Sequence, residues 1–290
     1  MKRKHNYDET YFDEINTPEK AYFLGLLYAD GCNHEHPTTG EISISLQIED
    51  RCVVDKLKEE MKSDYPLLIR KDTNENHEDQ IRFYVYGKHI AESLEKQGCV
   101  KRKTKNLSWP TEWQVPEDLI SHFMRGYFDG DGCIWNGKRK KMWVNDPTRK
   151  EGRRERIIHN VKFNITGYVS FISAYQQYLI DNLGFKQTKL NSRRINSDIC
   201  TMEYSGRQNI KKFYDFIYKD ATVFLPRKKK KFEEIICALN EKSLSETELI
   251  AGTPEMVISS QASSNEVEGS STIPEMVVEA SASECSALNE

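Results

Sequence analysis

The stretch Phe23-Leu-Gly-Leu-Leu-Tyr-Ala-Asp-Gly31 returns about a hundred residues later as Met124-Arg-Gly-Tyr-Phe-Asp-Gly-Asp-Gly132. In each copy a glycine stands four residues before a second small residue, and an Asp-Gly pair follows at once. Small residues at this spacing share one helix face, so two such helices can bring their backbones close together. We therefore expect the two helices to pack on each other. The small residues of this predicted helix interface are Gly25, Ala29, Gly126 and Gly130.

The aspartates that end the two copies, Asp30 and Asp131, should then lie side by side at neighbouring helix C-termini. This position disfavours an anion twice, because the helix dipole is negative there and a second carboxylate is near. A divalent cation offsets both penalties, since hard cations bind carboxylate oxygens. For either copy alone an ordinary helix-ending Asp-Gly turn is an equally good explanation. That alternative does not account for the paired small residues of both copies.

The two copies resemble the motifs of the LAGLIDADG homing endonucleases, in the single-chain type that carries two motifs. The resemblance implies an α+β fold of two pseudo-symmetric αββαββα repeats. Each repeat would have a twisted antiparallel sheet, the two sheets would form a DNA-binding saddle, and the repeats would pack through the two motif helices. Tyr28 departs from the family pattern, which often has an acidic residue at that place.

The implied activity is that of a site-specific double-strand DNA endonuclease, a hydrolase that cleaves phosphodiesters with Mg²⁺ or Mn²⁺. The resemblance assigns metal binding and catalysis to Asp30 and Asp131, with the backbone of Gly31 and Gly132 as further metal contacts. Asp129 does not occupy the key position, and we expect at most a supporting role for it.

Family members often have a lysine near the end of each repeat that helps to activate water or to stabilise charge. Lys103 is the best match in the first repeat, with Lys101 as the alternative, and Lys228 is favoured in the second. Phosphate contact by several lysines of each run explains these positions equally well.

The charge of the chain is unevenly distributed. The formal net charge is -3, but ten Glu and one Lys lie from Glu241 onward, so the residues before it carry a net +6. A basic body suits a polyanionic partner. The composition shift indicates four segments: a polar N-terminal arm (1–16), a first repeat (17–110), a second repeat (111–240) and an acidic disordered tail (241–290).

Seven scattered cysteines without a Cys-x-x-Cys pair indicate neither a disulfide framework nor a zinc site. No stretch has the length of a membrane span, and the N-terminus is too polar for a signal peptide. We expect a soluble, intracellular monomer, with the compartment undetermined.

Local patterns predict the element order. In the first repeat, Thr17-Pro18 reads as the start of the motif helix, and the strict alternation over 41–48 predicts a half-buried strand. The remaining predicted elements of this repeat are a helix at 50–61, strands at 67–71 and 81–86, and a helix at 88–97. In the second repeat they are helices at 116–128, 169–182, 209–218 and 229–240, and strands at 133–135, 161–166, 187–190 and 200–204.

Polar residues on the predicted strands are candidates for reading bases in the major groove. They are Ser43, Ser45, Gln47, Arg70, Arg82, Tyr84, Lys162, Asn164, Lys189, Arg193 and Arg194. The second repeat also has a basic insertion, 136–156, which we interpret as an extended hairpin or loop along a phosphate backbone; a solvated charged loop is the alternative. Its first cluster of charges is Lys138, Arg139, Lys140 and Lys141.

The predicted partner is double-stranded DNA with a long target that is not a perfect palindrome, because the two halves differ in sequence. Intron homing by a mobile genetic element is the implied biology. The alternative function is an RNA-splicing maturase, with intron RNA as its partner, or a DNA-binding protein that does not cleave, built on the same fold.

Overall fold

The computed structural model describes residues 4–34, 39–71, 78–101, 103–143, 154–192 and 197–251, with only the backbone described for 104, 139–143, 154–159 and 241–251. These residues form seven α-helices and two antiparallel sheets. The predicted α+β fold is confirmed. No helix in this part of the chain combines the length and apolar character that a membrane span requires.

The first half has the predicted αββαββα order. Thr17 caps the first helix through its side chain, and Pro18 occupies the first turn, where its missing N–H costs nothing. The segment directly after the first motif forms strand β1, and the sheet order is β1-β2-β4-β3. The elements are α1 (Pro18–Ala29), β1 (Gly31–His34), β2 (Glu41–Gln47), α2 (Arg51–Glu60), β3 (Leu68–Arg70), β4 (Gln80–Tyr86) and α3 (Lys88–Lys96).

The second half repeats the pattern with one strand fewer among the described residues, and its sheet order is β5-β6-β7. Its elements are α4 (Ile120–Asp131), β5 (Gly132–Trp143), β6 (Arg154–Tyr168), α5 (Val169–Leu183), β7 (Ile199–Ser205), α6 (Arg207–Tyr218) and α7 (Pro226–Ala251).

The predicted strand at 187–190 is wrong. Only an isolated bridge joins Asn191 to Thr201. Side chains supply hydrogen bonds to backbone carbonyls in place of a strand ladder. Gln176 Nε2 donates to the Thr188 carbonyl at 3.2 Å, and Thr188 Oγ1 donates to the Glu203 carbonyl at 3.3 Å. The segment therefore lies beside β7 without a regular ladder.

Two helix boundaries also differ from the prediction. Pro116 is followed by a 3₁₀ turn, Glu117–Leu119, and the second motif helix begins after it. Helix α7 continues to Ala251, into the segment expected to be a disordered tail, because no glycine or proline interrupts it before Gly252 and Pro254. The rest of that tail lies outside the described residues.

The basic insertion forms the expected extended hairpin. Strands β5 and β6 pair continuously from Gly132 opposite Ile165 to Trp143 opposite Arg154, so both strands are longer than predicted. Residues 144–153 lie outside the described part of the chain.

The N-terminal arm is less polar in its packing than its composition suggested. Tyr11, Phe12 and Ile15 are buried in the core, and the Asp64 carboxylate accepts the backbone N–H of Asn6 at 2.8 Å. Burial of these apolar side chains stabilises the packing of the arm on the folded body.

Candidate active site

The two motif helices touch through backbone. A Cβ atom added to Gly25 would lie 2.0 Å from the Phe123 carbonyl oxygen, and one added to Gly126 would lie 2.0 Å from the Tyr22 carbonyl oxygen. A Cβ added to Gly130 would lie 2.2 Å from that of Ala29. The structure thus places all four small residues of the predicted interface between α1 and α4.

This packing brings the ends of the helices together. Asp30 caps α1, and its N–H donates to the Leu26 carbonyl at 2.9 Å, while Asp131 is the last residue of α4. The Asp30 carboxylate lies against the other helix, since a Cβ added to Gly130 would be 3.0 Å from Asp30 Oδ2. Both aspartates reach solvent, so an external phosphate or cation has access to them.

The pKa values of both carboxyl groups are raised. Desolvation by the surrounding protein, followed by the charge of Asp131, raises the pKa of Asp30 to about 6. Desolvation also raises the pKa of Asp131, while Lys103 and a hydrogen bond with Tyr127 act in the opposite direction. Solvent on the open side screens part of these effects. The site therefore concentrates negative charge that a cation would stabilise.

Each half supplies one lysine to the end of its own motif helix. Lys103 Nζ donates to the carbonyls of Leu27, Tyr28 and Ala29 at 2.8, 2.7 and 2.5 Å. Burial lowers the pKa of this lysine, whereas Cys99, Asp131 and Asp30 act to raise it. Lys101, the alternative in the same run, pairs instead with Glu95 at 3.7 Å.

Lys228 makes the equivalent contacts in the second half. Its Nζ donates to the carbonyls of Phe128, Asp129, Gly130 and Gly132, and its side chain is buried. Burial lowers its pKa, and Asp129 is the main charge acting to raise it. Both ammonium groups thus offset the negative end of a helix dipole beside the aspartates.

The residue two places before each aspartate differs between the copies. Tyr28 is buried and donates to the Gln97 carbonyl at 2.7 Å. Asp129 is fully buried and accepts from Tyr22, Tyr218 and the Leu225 N–H. Burial raises the pKa of Asp129, and Lys228 is the main charge opposing this shift. Asp129 therefore faces the interior and not the solvent-facing site.

A cavity of about 270 Å³ opens beside Asp131. Tyr28, Lys103, Tyr127 and Thr166 contribute to its lining, so a lysine and tyrosine side chains line it together with the Asp131 carboxylate. The cavity gives the Asp131 side of the site room for several water molecules.

The donor set suits a hard divalent cation. Mg²⁺ binds through one or two carboxylates and completes its coordination with water and substrate phosphate oxygens. Asp30 and Asp131 offer such a pair, whereas the described residues contain no group of three or more His, Cys, Asp or Glu that could hold an ion. Of the two glycines expected to contribute backbone, Gly132 has its carbonyl bonded to Lys228 at 2.7 Å, and Gly31 begins β1.

No family model matches the chain, and no curated protein matches it in sequence. Solved structures do. A double lysine-to-alanine mutant of I-SmaMI is 11% identical with a TM-score of 0.51, and the match covers 83% of this chain and 100% of that one. The I-SmaMI LAGLIDADG homing endonuclease bound to cleaved DNA is 13% identical with a TM-score of 0.50, over 82% and 97% of the two chains. The LAGLIDADG meganuclease I-AabMI bound to uncleaved DNA is 14% identical with a TM-score of 0.49, over 80% and 93%.

The chain has the LAGLIDADG fold. The resemblance carried by the two motifs is thereby confirmed at the level of the fold. Most of the predicted base-reading residues lie on the strands of the two sheets.

The first LAGLIDADG sheet exposes most of its predicted readers. Ser45, Gln47 and Arg70 are exposed, and Arg82 and Tyr84 are half-buried on the face opposite the core. Ser43 is a correction: it is buried, and its Oγ accepts from Arg82 Nη2 at 3.2 Å. Long side chains of the neighbouring strand cover this small residue.

In the second LAGLIDADG sheet Lys162 and Asn164 are half-buried, and Lys138 is exposed on the hairpin. Lys189 is exposed in the segment that is not a strand. Arg193 and Arg194 lie outside the described residues, as do the side chains of Arg139, Lys140 and Lys141.

Three residues on these faces were missed from the sequence. Glu41 pairs with Arg82 at 2.5 Å in the first sheet, and Glu203 pairs with Lys162 at 2.5 Å in the second. Trp135 lies beneath the Lys162 ammonium, 5.7 Å from its ring centroid. The alternation of β5 counted from Gly132 would have placed Trp135 on the outer face.

Proposed function

We propose that this chain is a site-specific double-strand DNA homing endonuclease that works as a pseudo-symmetric monomer with Mg²⁺ or Mn²⁺. The observation that carries the proposal is the pair of solvent-accessible carboxylates, Asp30 and Asp131, at the contact of two glycine-packed helices. One lysine lies behind each helix end, half-buried in the first half and buried in the second. A helix-ending turn alone would not require this duplicated arrangement.

Asp30 and Asp131 would hold the metal ions, with the remaining coordination completed by water and by phosphate oxygens of the DNA. When bound, the metal supplies charge neutralisation at the phosphate and a more acidic water. The residues of the chain fix where this happens: the helix contact sets the spacing of the carboxylates, and Tyr127 interacts with Asp131.

For the lysines we propose an electrostatic role. An ammonium has three N–H donors, and Lys103 uses three carbonyl acceptors while Lys228 has four within reach. Their donors are therefore committed to the helix ends. Their positive charge remains beside the carboxylates, where it favours the approach of an anionic phosphodiester.

The DNA would lie across the outer faces of the two sheets, with the β5–β6 hairpin following the backbone. In the free protein Arg82 pairs with Glu41, and Lys162 pairs with Glu203. On binding, these side chains would exchange the ion pairs for hydrogen bonds to base edges. Because the two faces carry different residues, the target should be long and asymmetric.

The test is selection of a cleavage site. The full-length chain is incubated with a randomised double-stranded DNA library and Mg²⁺, and the cleaved ends are sequenced. We expect one target to be enriched, and we expect Asp30→Asn and Asp131→Asn each to slow its cleavage by about a hundredfold or more. Asp181→Asn, which changes an exposed carboxylate of α5, is the matched control and should cut as the parent does.

Two outcomes would contradict the proposal. If the aspartate variants cut as fast as the parent, the two carboxylates take no part in the chemistry. Tight binding to a DNA operator or an intron RNA, without metal and without cleavage, would favour the non-cleaving alternative on the same fold.

A further inference from the structure

Asp129 is the feature of the second motif that the proposed chemistry does not use. Its carboxylate is fully enclosed, and three different elements hold it. Tyr22 of α1 and the Leu225 N–H each donate to Oδ2 at 2.8 Å, and Tyr218 of α6 donates to Oδ1 at 3.1 Å. A buried carboxylate with three donors fixes the position of each donor, because leaving any of these groups unpaired is costly.

One of those donors begins the turn that carries Lys228. Leu225 immediately precedes α7, and its carbonyl accepts the N–H of Lys228 at 3.1 Å and that of Lys229 at 3.2 Å. Lys228 Nζ then returns to the end of α4, where it donates to the carbonyls of Asp129 and Gly130. Asp129, Leu225 and Lys228 therefore close a ring that starts and ends on the second motif helix.

Arg125 supports the same ring from one turn earlier on α4. It is fully buried, its Nε donates to the Val223 carbonyl at 2.8 Å, and its Nη1 donates to the Ile217 carbonyl at 2.9 Å. Two charged side chains of one helix thus hold the connection between α6 and α7 at both its ends.

The first half has fewer hydrogen bonds at the equivalent position. Tyr28 gives a single neutral hydrogen bond to the Gln97 carbonyl, six residues before Lys103. Lys103 therefore stands farther along the chain from its anchor than Lys228 does from Leu225.

We propose that Asp129 is a positioning residue that fixes Lys228 at the end of the second motif helix, with Arg125 holding the same segment. The inference rests on the proposed function, and it adds that Lys228, at the end of the second motif helix, serves one of the two strand cleavages more than the other. Asp129 acts through Lys228 and touches neither metal nor DNA.

The experiment follows each strand separately. A target duplex labelled differently on its two strands is cut by the full-length parent and by Lys228→Met, which identifies the strand that depends on Lys228. We expect Asp129→Asn to slow cleavage of that strand by about tenfold and cleavage of the other strand by less than about twofold. The double variant Asp129→Asn/Lys228→Met should cut the dependent strand no more slowly than Lys228→Met alone.

Two further variants separate positioning from folding. Tyr218→Phe removes one donor to Asp129 and should slow the same strand by a smaller factor. Tyr175→Phe removes a different buried hydrogen bond to α4, from its hydroxyl to the Met124 carbonyl, and should show no strand bias. Thermal unfolding of every variant shows whether a loss of activity follows a loss of folded protein.

A second readout does not need cleavage. In the parent the Lys228 ammonium protons should exchange slowly with solvent by NMR, and Asp129→Asn and Tyr218→Phe should accelerate this exchange while Tyr175→Phe should not. Equal slowing of both strands, multiplicative losses in the double variant, or unchanged ammonium exchange would overturn the inference. A parent that cuts no DNA but shows the expected exchange pattern would overturn the proposed function and leave the positioning role standing.

Discussion

The two motif copies use the same backbone contacts and differ in how they secure their lysines. In each copy a glycine meets a carbonyl of the other helix, and a lysine caps the helix end. The side chain two places before the aspartate is Tyr28 in one copy and Asp129 in the other. The features that set the spacing of the aspartates are therefore retained in both halves, while the anchoring of the lysine differs, neutral in one half and charged in the other.

The sheets differ in a related way. Glu41 and Lys162 lie at equivalent positions, each three residues before the residue that pairs with the motif glycine, and they carry opposite charges. Glu41 pairs with Arg82, and Lys162 pairs with Glu203. Only the second half has the long basic hairpin among the described residues. The helix interface is thus close to symmetric, and the surface proposed to meet DNA is not.

The largest expected effect tests the interface between the two motif helices, which is close to symmetric. Gly25→Ala and Gly126→Ala should each destabilise the fold by about 3 kcal/mol or more, because each new methyl would overlap a backbone carbonyl that cannot move away alone. Thermal or denaturant unfolding gives the values. The two losses should be similar, since both clashes are at 2.0 Å.

A helix substitution without a clash is the control for that pair. Ala238→Gly, on the exposed side of α7, should cost about 1 kcal/mol through helix propensity alone. If one glycine variant were no more costly than this control, the contact between the helices would not have the reciprocal form that the structure gives it.

The next effect tests the basic hairpin, which only the second half has among the described residues. Replacing Lys138, Arg139, Lys140 and Lys141 with glutamine should weaken DNA binding and reduce the slope of log affinity against log salt by about 0.9 for each charge that contacts a phosphate. Binding titrations at several salt concentrations measure this slope. Four exposed basic residues on helices, outside the two lysine runs, provide a control of equal charge: Lys88, Lys96, Lys211 and Lys212. Equal salt slopes for the two sets of variants would mean that the hairpin does not contact the DNA backbone.

The sequence predicted the features that depend on local patterns. The motif helices, the alternation of β2 and the basic hairpin all follow from residues that are close in the chain. The choice of Lys103 and Lys228 came from the family resemblance, and the structure places both at the motif helix ends.

Features made by distant partners could not be predicted in this way. The donors to Asp129 come from three separate segments, at Tyr22, Tyr218 and Leu225, and nothing near Asp129 in the chain announces them. Ser43 is buried because Arg82, on another strand, reaches over it. These contacts are set by tertiary packing, which overrides the local pattern.

The smallest effect concerns the two aspartates themselves. In metal-free buffer with EDTA, the raised pKa of Asp30, about 6, exceeds the value of about 3.9 expected in the unfolded chain. A raised acid pKa adds stability below the unfolded value and loses it as pH rises through the folded value. The melting temperature should therefore carry a component that falls between about pH 4 and pH 6, and Asp30→Asn should remove it.

The same titration distinguishes the two copies. Asp131→Asn removes the neighbouring charge and should lower the pKa of Asp30 without restoring it fully, because desolvation is the larger cause of the shift. Carboxyl ¹³C NMR of Asp30 across this pH range measures the change, with Asp181→Asn as the control. An unchanged Asp30 pKa in Asp131→Asn would mean that the two carboxylates do not interact, and the pairing on which a shared metal site depends would be absent.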